Sequence, residues 1–100
     1  MFDTKIENCE NYQKISLTGD LDVYSEEEFK KFIDEKIDAN KDIVFDLEKL
    51  DYLDSTGLGM FMTVYNMQKS KDKKVKIINS KENIKKLFKI TDLFDLFAME

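Results

Sequence analysis

Residues 51–59 read Asp51-Tyr52-Leu53-Asp54-Ser55-Thr56-Gly57-Leu58-Gly59. The stretch joins two apolar runs, DIVFDLEKL (42–50) and MFMTVYNM (60–67), and holds two of the chain's three glycines. The first run is short, β-branched and nearly continuous, which predicts a central strand at 42–47 covered on both faces. The second predicts a helix from Leu58 to about Ser70. The junction is therefore a strand-to-helix turn. Asp54, Ser55 and Thr56 are all competent to cap the helix. Gly57 and Gly59 strip side chains from its first turn, so another surface could approach the backbone closely. Such a junction suits a plain cap, an anion cradle at the free amide groups, or an exposed hydroxyl open to phosphorylation.

Outward from this turn the periodicities are plain. YQKISLT (12–18) alternates in a period of two and follows a shorter strand at 4–8. Asn8 to Asn11 supply the turn of a hairpin. Ser25-Glu26-Glu27-Glu28 has the form of a capping box, with Phe29, Phe32, Ile33 and Ile37 recurring at helical spacing to about Ala39. VKII (75–78) is a further strand. Ser80 is expected to cap a third helix carrying Ile84, Leu87 and Phe88. Thr91 is expected to cap a short last turn, although LFAME (96–100) could instead form an edge strand. The order β-β-α-β-α-β-α predicts an α/β fold, with a mixed, mostly parallel sheet of four to five strands and three to four helices. Right-handed crossovers make strands 12–18, 42–47 and 75–78 parallel. The loops 19–25, 48–55 and 79–80 then meet at one sheet edge, where ligands and partners of such sheets bind.

The helix at 58–70 is apolar nearly all round. Leu58, Phe61, Met62 and Tyr65 form one stripe, assigned to the core. Met60, Val64 and Met67 form a second. It is either covered by the 81–89 helix or the chain end, or left as a Met-rich docking face.

Composition narrows the function classes. One hundred residues make one small domain, 1–100. The net charge of −5 argues against binding nucleic acid or anionic membranes. There is no histidine, which excludes a Ser-His-Asp triad and any histidine metal site. The single cysteine, Cys9, excludes an internal disulfide and reads as a small semi-buried side chain. No stretch resembles a signal peptide or a membrane span, which points to a cytoplasmic protein, and no cofactor is expected. Two other readings stay open on the residues alone. GDLD (19–22) and LDYLDSTG (50–57) could hold Mg²⁺ for phosphoryl transfer, and Gly57-x-Gly59 is half of a phosphate loop. The lysines of KSKDKKVK (69–76) read as a solvated helix end.

DSTGLG (54–59) after an apolar strand, with GDLDVYS (19–25) upstream and KKLFKITDLFDLF (85–97) downstream, resembles the bacterial anti-sigma-factor antagonists of the STAS-domain family. The resemblance covers nearly the whole chain and implies a STAS-like fold that binds an anti-sigma factor, itself a serine kinase, and so frees a sigma factor. It implies Ser55 as the residue that the kinase phosphorylates, supported by Asp54, with Thr56 as the neighbouring hydroxyl. It implies a metal-dependent phosphatase of PP2C type that restores the serine. Asp20, Asp22 and Tyr24 match the family's partner-facing loop, and Gly57, Leu58, Gly59 and Met60 complete the expected partner-binding surface. A phosphate adds about −1.5 to −2 charge. It is comfortable at a helix start by itself, so its penalty is expected in the complex, as a loss of affinity with little change of shape. A STAS-type module of another pathway, never phosphorylated, is the alternative.

Overall fold

The alternation in residues 12–18 becomes a strand whose Gln13, Ile15 and Leu17 point into the core. In the computed structural model, which describes residues 1–99, this strand is β2 (Tyr12–Leu21). It pairs antiparallel with β1 (Phe2–Asn8) through a turn closed by Cys9 N–H donating to the Tyr12 carbonyl at 2.9 Å. The rest of the chain runs α1 (Glu26–Lys36), β3 (Asp42–Leu53), α2 (Ser55–Ser70), β4 (Val75–Ile78), α3 (Glu82–Ile90) and a 3-10 turn at Phe94–Phe97. The sheet order is β1-β2-β3-β4, with β2, β3 and β4 parallel as the periodicities imply.

That order decides which face is covered. Each crossover steps one strand in the same direction, and right-handed connections then place α1 and α2 on the same side. The ring of Phe61 in α2 shows the result. It meets Phe45 of β3 at 4.9 Å, Phe29 of α1 at 6.1 Å, Phe88 of α3 at 5.7 Å and Phe97 of the last turn at 6.3 Å, all edge-on. Edge-to-face contacts of this kind add to the burial of each ring. The opposite face carries Lys14, Ser16, Val44 and Asp46, all partly exposed. The expectation that residues 42–47 are covered on both faces is therefore corrected: Ile43, Phe45 and Leu47 are buried, and their neighbours line an open face.

Several boundaries move. β2 and β3 stay paired beyond residues 18 and 47, through register shifts between Ser16 and Thr18 and between Gly19 and Asp20, so much of the expected loops is strand. Helix α1 stops at Lys36 instead of Ala39 because Ile37 is extended. There the buried Gln13 side chain donates to the Lys36 carbonyl at 2.9 Å and accepts from Asp38 N–H at 2.8 Å. Gln68 of α2 holds the following loop through the Asp38 and Lys41 carbonyls at 3.0 and 2.6 Å. Lys81, not Ser80, occupies the cap position of α3, and Ser80 Oγ is buried without a hydrogen-bond partner among the described residues. Thr91 closes α3 by donating to the Leu87 carbonyl at 2.8 Å, and Leu93 precedes the 3-10 turn. That turn replaces the possible edge strand at 96–100, of which Glu100 lies outside the described residues.

The second stripe of α2 is not an exposed docking face. Met60 and Val64 are buried and Met67 is half-buried. Helix α1, which the sequence reading did not consider as the cover, stands beside it, whereas the chain end packs on the first stripe through Tyr65 and Phe97 at 5.5 Å.

Candidate functional site

Three hydroxyl or acid side chains competed on paper for one cap, and Asp54 takes it. Its carboxylate accepts from Gly57 N–H at 3.1 Å, and its carbonyl accepts from Leu58 N–H at 3.0 Å. Its own N–H donates to the Leu21 carbonyl at 3.4 Å, which ties the helix start to the end of β2. Helix α2 thus begins at Ser55, three residues earlier than the apolar run predicts. Ser55 is exposed, and its hydroxyl has no hydrogen-bond partner among the described residues. Thr56 is half-buried beside it.

The two glycines differ. At Gly57 a Cβ would strike the Leu53 side chain and come within 2.8 Å of the Leu21 carbonyl oxygen. Gly57 is therefore required by packing inside the protein, and it faces inward together with the buried Leu58. This corrects the expectation that Gly57 and Leu58 offer surface to a partner. At Gly59 nothing lies within 4 Å of a built Cβ. Gly59 is exposed, so the helix carries a residue costing about 1 kcal/mol relative to Ala with no internal reason for it.

Ser55 and Gly59 open onto a groove of about 400 Å³ between α1 and α2. Thr56, Met60 and Thr63 line its α2 wall, and Glu26, Lys30, Ile33 and Asp34 line its α1 wall. Met60 is 7% exposed and lines this groove. The α1 wall was missed in the sequence. Its signal was available, since residues 26, 30, 33 and 34 follow helical spacing on one side of α1.

The turn before α1 stands at the same sheet edge. Asp20 lies in β2 opposite Tyr52 rather than in a loop. The expected capping box does not form: Ser25 makes no side-chain cap. Its buried hydroxyl instead donates to the Asp20 carbonyl at 2.8 Å and accepts from Asp22 N–H at 3.0 Å. Asp22 in turn accepts from Tyr24 N–H at 2.9 Å. These bonds hold a turn whose tip projects Val23 and Tyr24, the latter 95% exposed. Tyr52, 49% exposed, adds a further aromatic surface that the sequence reading did not include. Asp51 pairs with Lys81 and accepts Asn83 Nδ2 on its carbonyl at 3.1 Å, fixing the end of β3 against α3.

The strand order never reverses, so the sheet has no switch-point crevice of the kind that binds nucleotides. Among the described residues no group of three or more His, Cys, Asp or Glu side chains is placed to hold a metal ion. Among the described residues no helix is long and apolar enough to cross a membrane.

Residues 5–100 match the STAS domain family. An anti-sigma-B factor antagonist of Staphylococcus aureus (strain NCTC 8325 / PS 47) is 34% identical over 88 residues, spanning 87% of this chain and 82% of that protein. An anti-sigma-B factor antagonist of Bacillus subtilis (strain 168) is 31% identical over 91 residues, spanning 91% of this chain and 84% of that protein. The Bacillus cell fate determinant SpoIIAA, solved in its phosphorylated form, shares the fold, with a TM-score of 0.73 at 20% identity over 98% of this chain and 89% of its own. Fold, sequence and the helix start at Ser55 converge: the chain belongs to the STAS-domain family, among relatives that are anti-sigma-factor antagonists.

Proposed function

We propose that the chain is an anti-sigma-factor antagonist whose partner is a serine-kinase anti-sigma factor. Unmodified, it binds the kinase at the edge formed by Asp22, Val23, Tyr24, Ser55 and Gly59, and the sigma factor goes free. The kinase then transfers the γ-phosphoryl group of ATP to Ser55 Oγ, which loses its proton as ADP leaves, and the antagonist is released. A PP2C-type phosphatase hydrolyses the ester and resets the cycle. The setting is the cytoplasm, and the chain itself catalyses nothing.

One observation carries this. The Ser55 hydroxyl is exposed and unengaged at the first residue of α2, because Asp54 has taken the capping role. A serine that capped its own helix would have to give up that bond to be modified. The relatives' role as anti-sigma-B factor antagonists supports the same reading, as does the phosphorylated state of a structural neighbour.

The size of the switch is modest. A 100- to 1,000-fold loss of affinity needs only about 3–4 kcal/mol. One poorly paired dianion in a desolvated interface supplies that without refolding.

Pull-down with the cognate anti-sigma kinase tests the proposal. Ser55→Ala is expected to bind with and without ATP, Ser55→Asp to bind weakly, and the unmodified chain to be released as ATP is consumed. Equal retention of all three would reject the switch and leave a STAS-type interaction module of another kind. Mass spectrometry after the reaction is expected to place phosphate on Ser55 and to find it there in Thr56→Ala also.

A further inference from the structure

We infer that Lys30 is the counter-ion of a phosphoryl group on Ser55 and draws it into the groove between α1 and α2. The inference rests on Ser55 being the modified residue. Ser55 and Lys30 line facing walls of one groove. Lys30 is the only cationic side chain among the residues lining it. It is also unengaged: among the described residues it makes no ion pair or hydrogen bond, although Glu26 and Asp34 stand one turn to either side on the same helix.

Space for the group is present as well. Gly59 follows Ser55 by one turn on the same face of α2, and nothing lies within 4 Å of where its Cβ would be. Helical side chains lean toward the N-terminus, so any larger residue at 59 would cover the room beside Ser55. The phosphoryl group therefore has an open floor over Gly59 and a free ammonium across from it. Lys30 attracts the group, whereas Glu26, one turn earlier on the same wall, repels it. Asp54 before Ser55 and Asp34 beyond Lys30 are the other charged groups around the path.

This arrangement explains release without refolding. The space over Gly59 that admits a partner is the space that the phosphoryl–Lys30 pair fills. Modification then acts twice, by charge and by occupancy.

The test uses the full chain with phosphoserine incorporated at position 55, titrated by ³¹P NMR. The second pKa of a phosphoserine lies near 6. A neighbouring cation favours the dianion and lowers that value, so Lys30→Met should raise it, by about half a unit for an exposed pair. Glu26→Gln removes a like charge and should lower it. Identical titrations for the Lys30→Met and parent phosphoproteins would overturn the role of Lys30, whichever way partner binding behaves. A phosphoserine chain that still holds the anti-sigma factor as tightly as the unmodified one would overturn the switch, whichever way the titration moves.

Discussion

Asp54 accepts the N–H of Gly57 at 3.1 Å, and that contact leaves the hydroxyl of Ser55 unused. The cap and the proposed phosphoacceptor are adjacent but separate residues. Each can be altered without the other, which makes the division testable.

Asp54→Ala removes the side-chain cap and should cost about 1 kcal/mol of stability, within a range of about 0.5–2 kcal/mol. Asp54→Asn and Asp54→Ser keep an acceptor and should lose less. Ser55→Ala removes no bond and should fall within about 0.5 kcal/mol of the parent. Urea denaturation of the four variants checks the order. A Ser55→Ala loss equal to that of Asp54→Ala would mean that the serine shares the capping.

The two glycines of the first turn should respond with opposite signs. A methyl group at 57 meets Leu53 and the Leu21 carbonyl, and the carbonyl belongs to a central strand that cannot give way cheaply. Gly57→Ala should therefore destabilise by about 1–3 kcal/mol, the usual cost of overpacking. Gly59→Ala adds a methyl group in open space and removes a helix glycine, so it should stabilise by about 0.5–1 kcal/mol. If Gly59 is kept for an approaching partner, that more stable variant should bind the anti-sigma kinase less tightly. Thermal melts paired with a binding titration read both quantities. A gain in stability with unchanged affinity would remove Gly59 from the interface.

The parallel order of β2, β3 and β4 and the spacing of the helices were legible because long segments keep one period. The extent of β3 was not. Leu47, Leu50 and Leu53 are all buried at a spacing of three, which matches no regular strand. The register shifts opposite them, between Ser16 and Thr18 and between Gly19 and Asp20, reset the facing of the ladder. Polar residues at 48, 49 and 51 then made strand look like loop. The strand-to-helix junction at Ser55 was legible from its residues, but the groove beside it was not. Glu26, Lys30, Ile33 and Asp34 share one side of α1 at helical spacing, but the packing of α1 on α2 is what places that side beside the serine.

Ser25 and Glu28 illustrate how a motif can match and its mechanism differ. The hydroxyl is spent on the Asp20 carbonyl and Asp22 N–H, so no reciprocal bond to Glu28 is required. Glu28→Gln should leave stability within about 0.5 kcal/mol of the parent. Ser25→Ala leaves the part-buried Asp22 N–H without that acceptor and should cost about 1 kcal/mol or more. Hydrogen exchange of the residue 20–25 amides should quicken in Ser25→Ala and stay unchanged in Glu28→Gln. Loss of stability in Glu28→Gln equal to a helix cap would restore the capping box.

Tyr24 and Tyr52 separate binding from folding. Tyr24 is 95% exposed and Tyr52 49%, and neither ring contributes an aromatic contact to the core. Exposed tyrosines on a rigid turn and a strand end are the kind of side chain that anchors interfaces. Tyr24→Ala should change stability by less than about 0.5 kcal/mol. If the ring fills a pocket on the anti-sigma kinase, its loss should weaken binding about tenfold or more, equivalent to at least about 1.4 kcal/mol. Tyr52→Ala should be weaker in effect, since the residue is already half covered by its own protein. Titration calorimetry with the kinase measures each value. Full affinity in the double variant would move the interface away from this edge of the sheet, toward the open face of Lys14, Ser16 and Asp46.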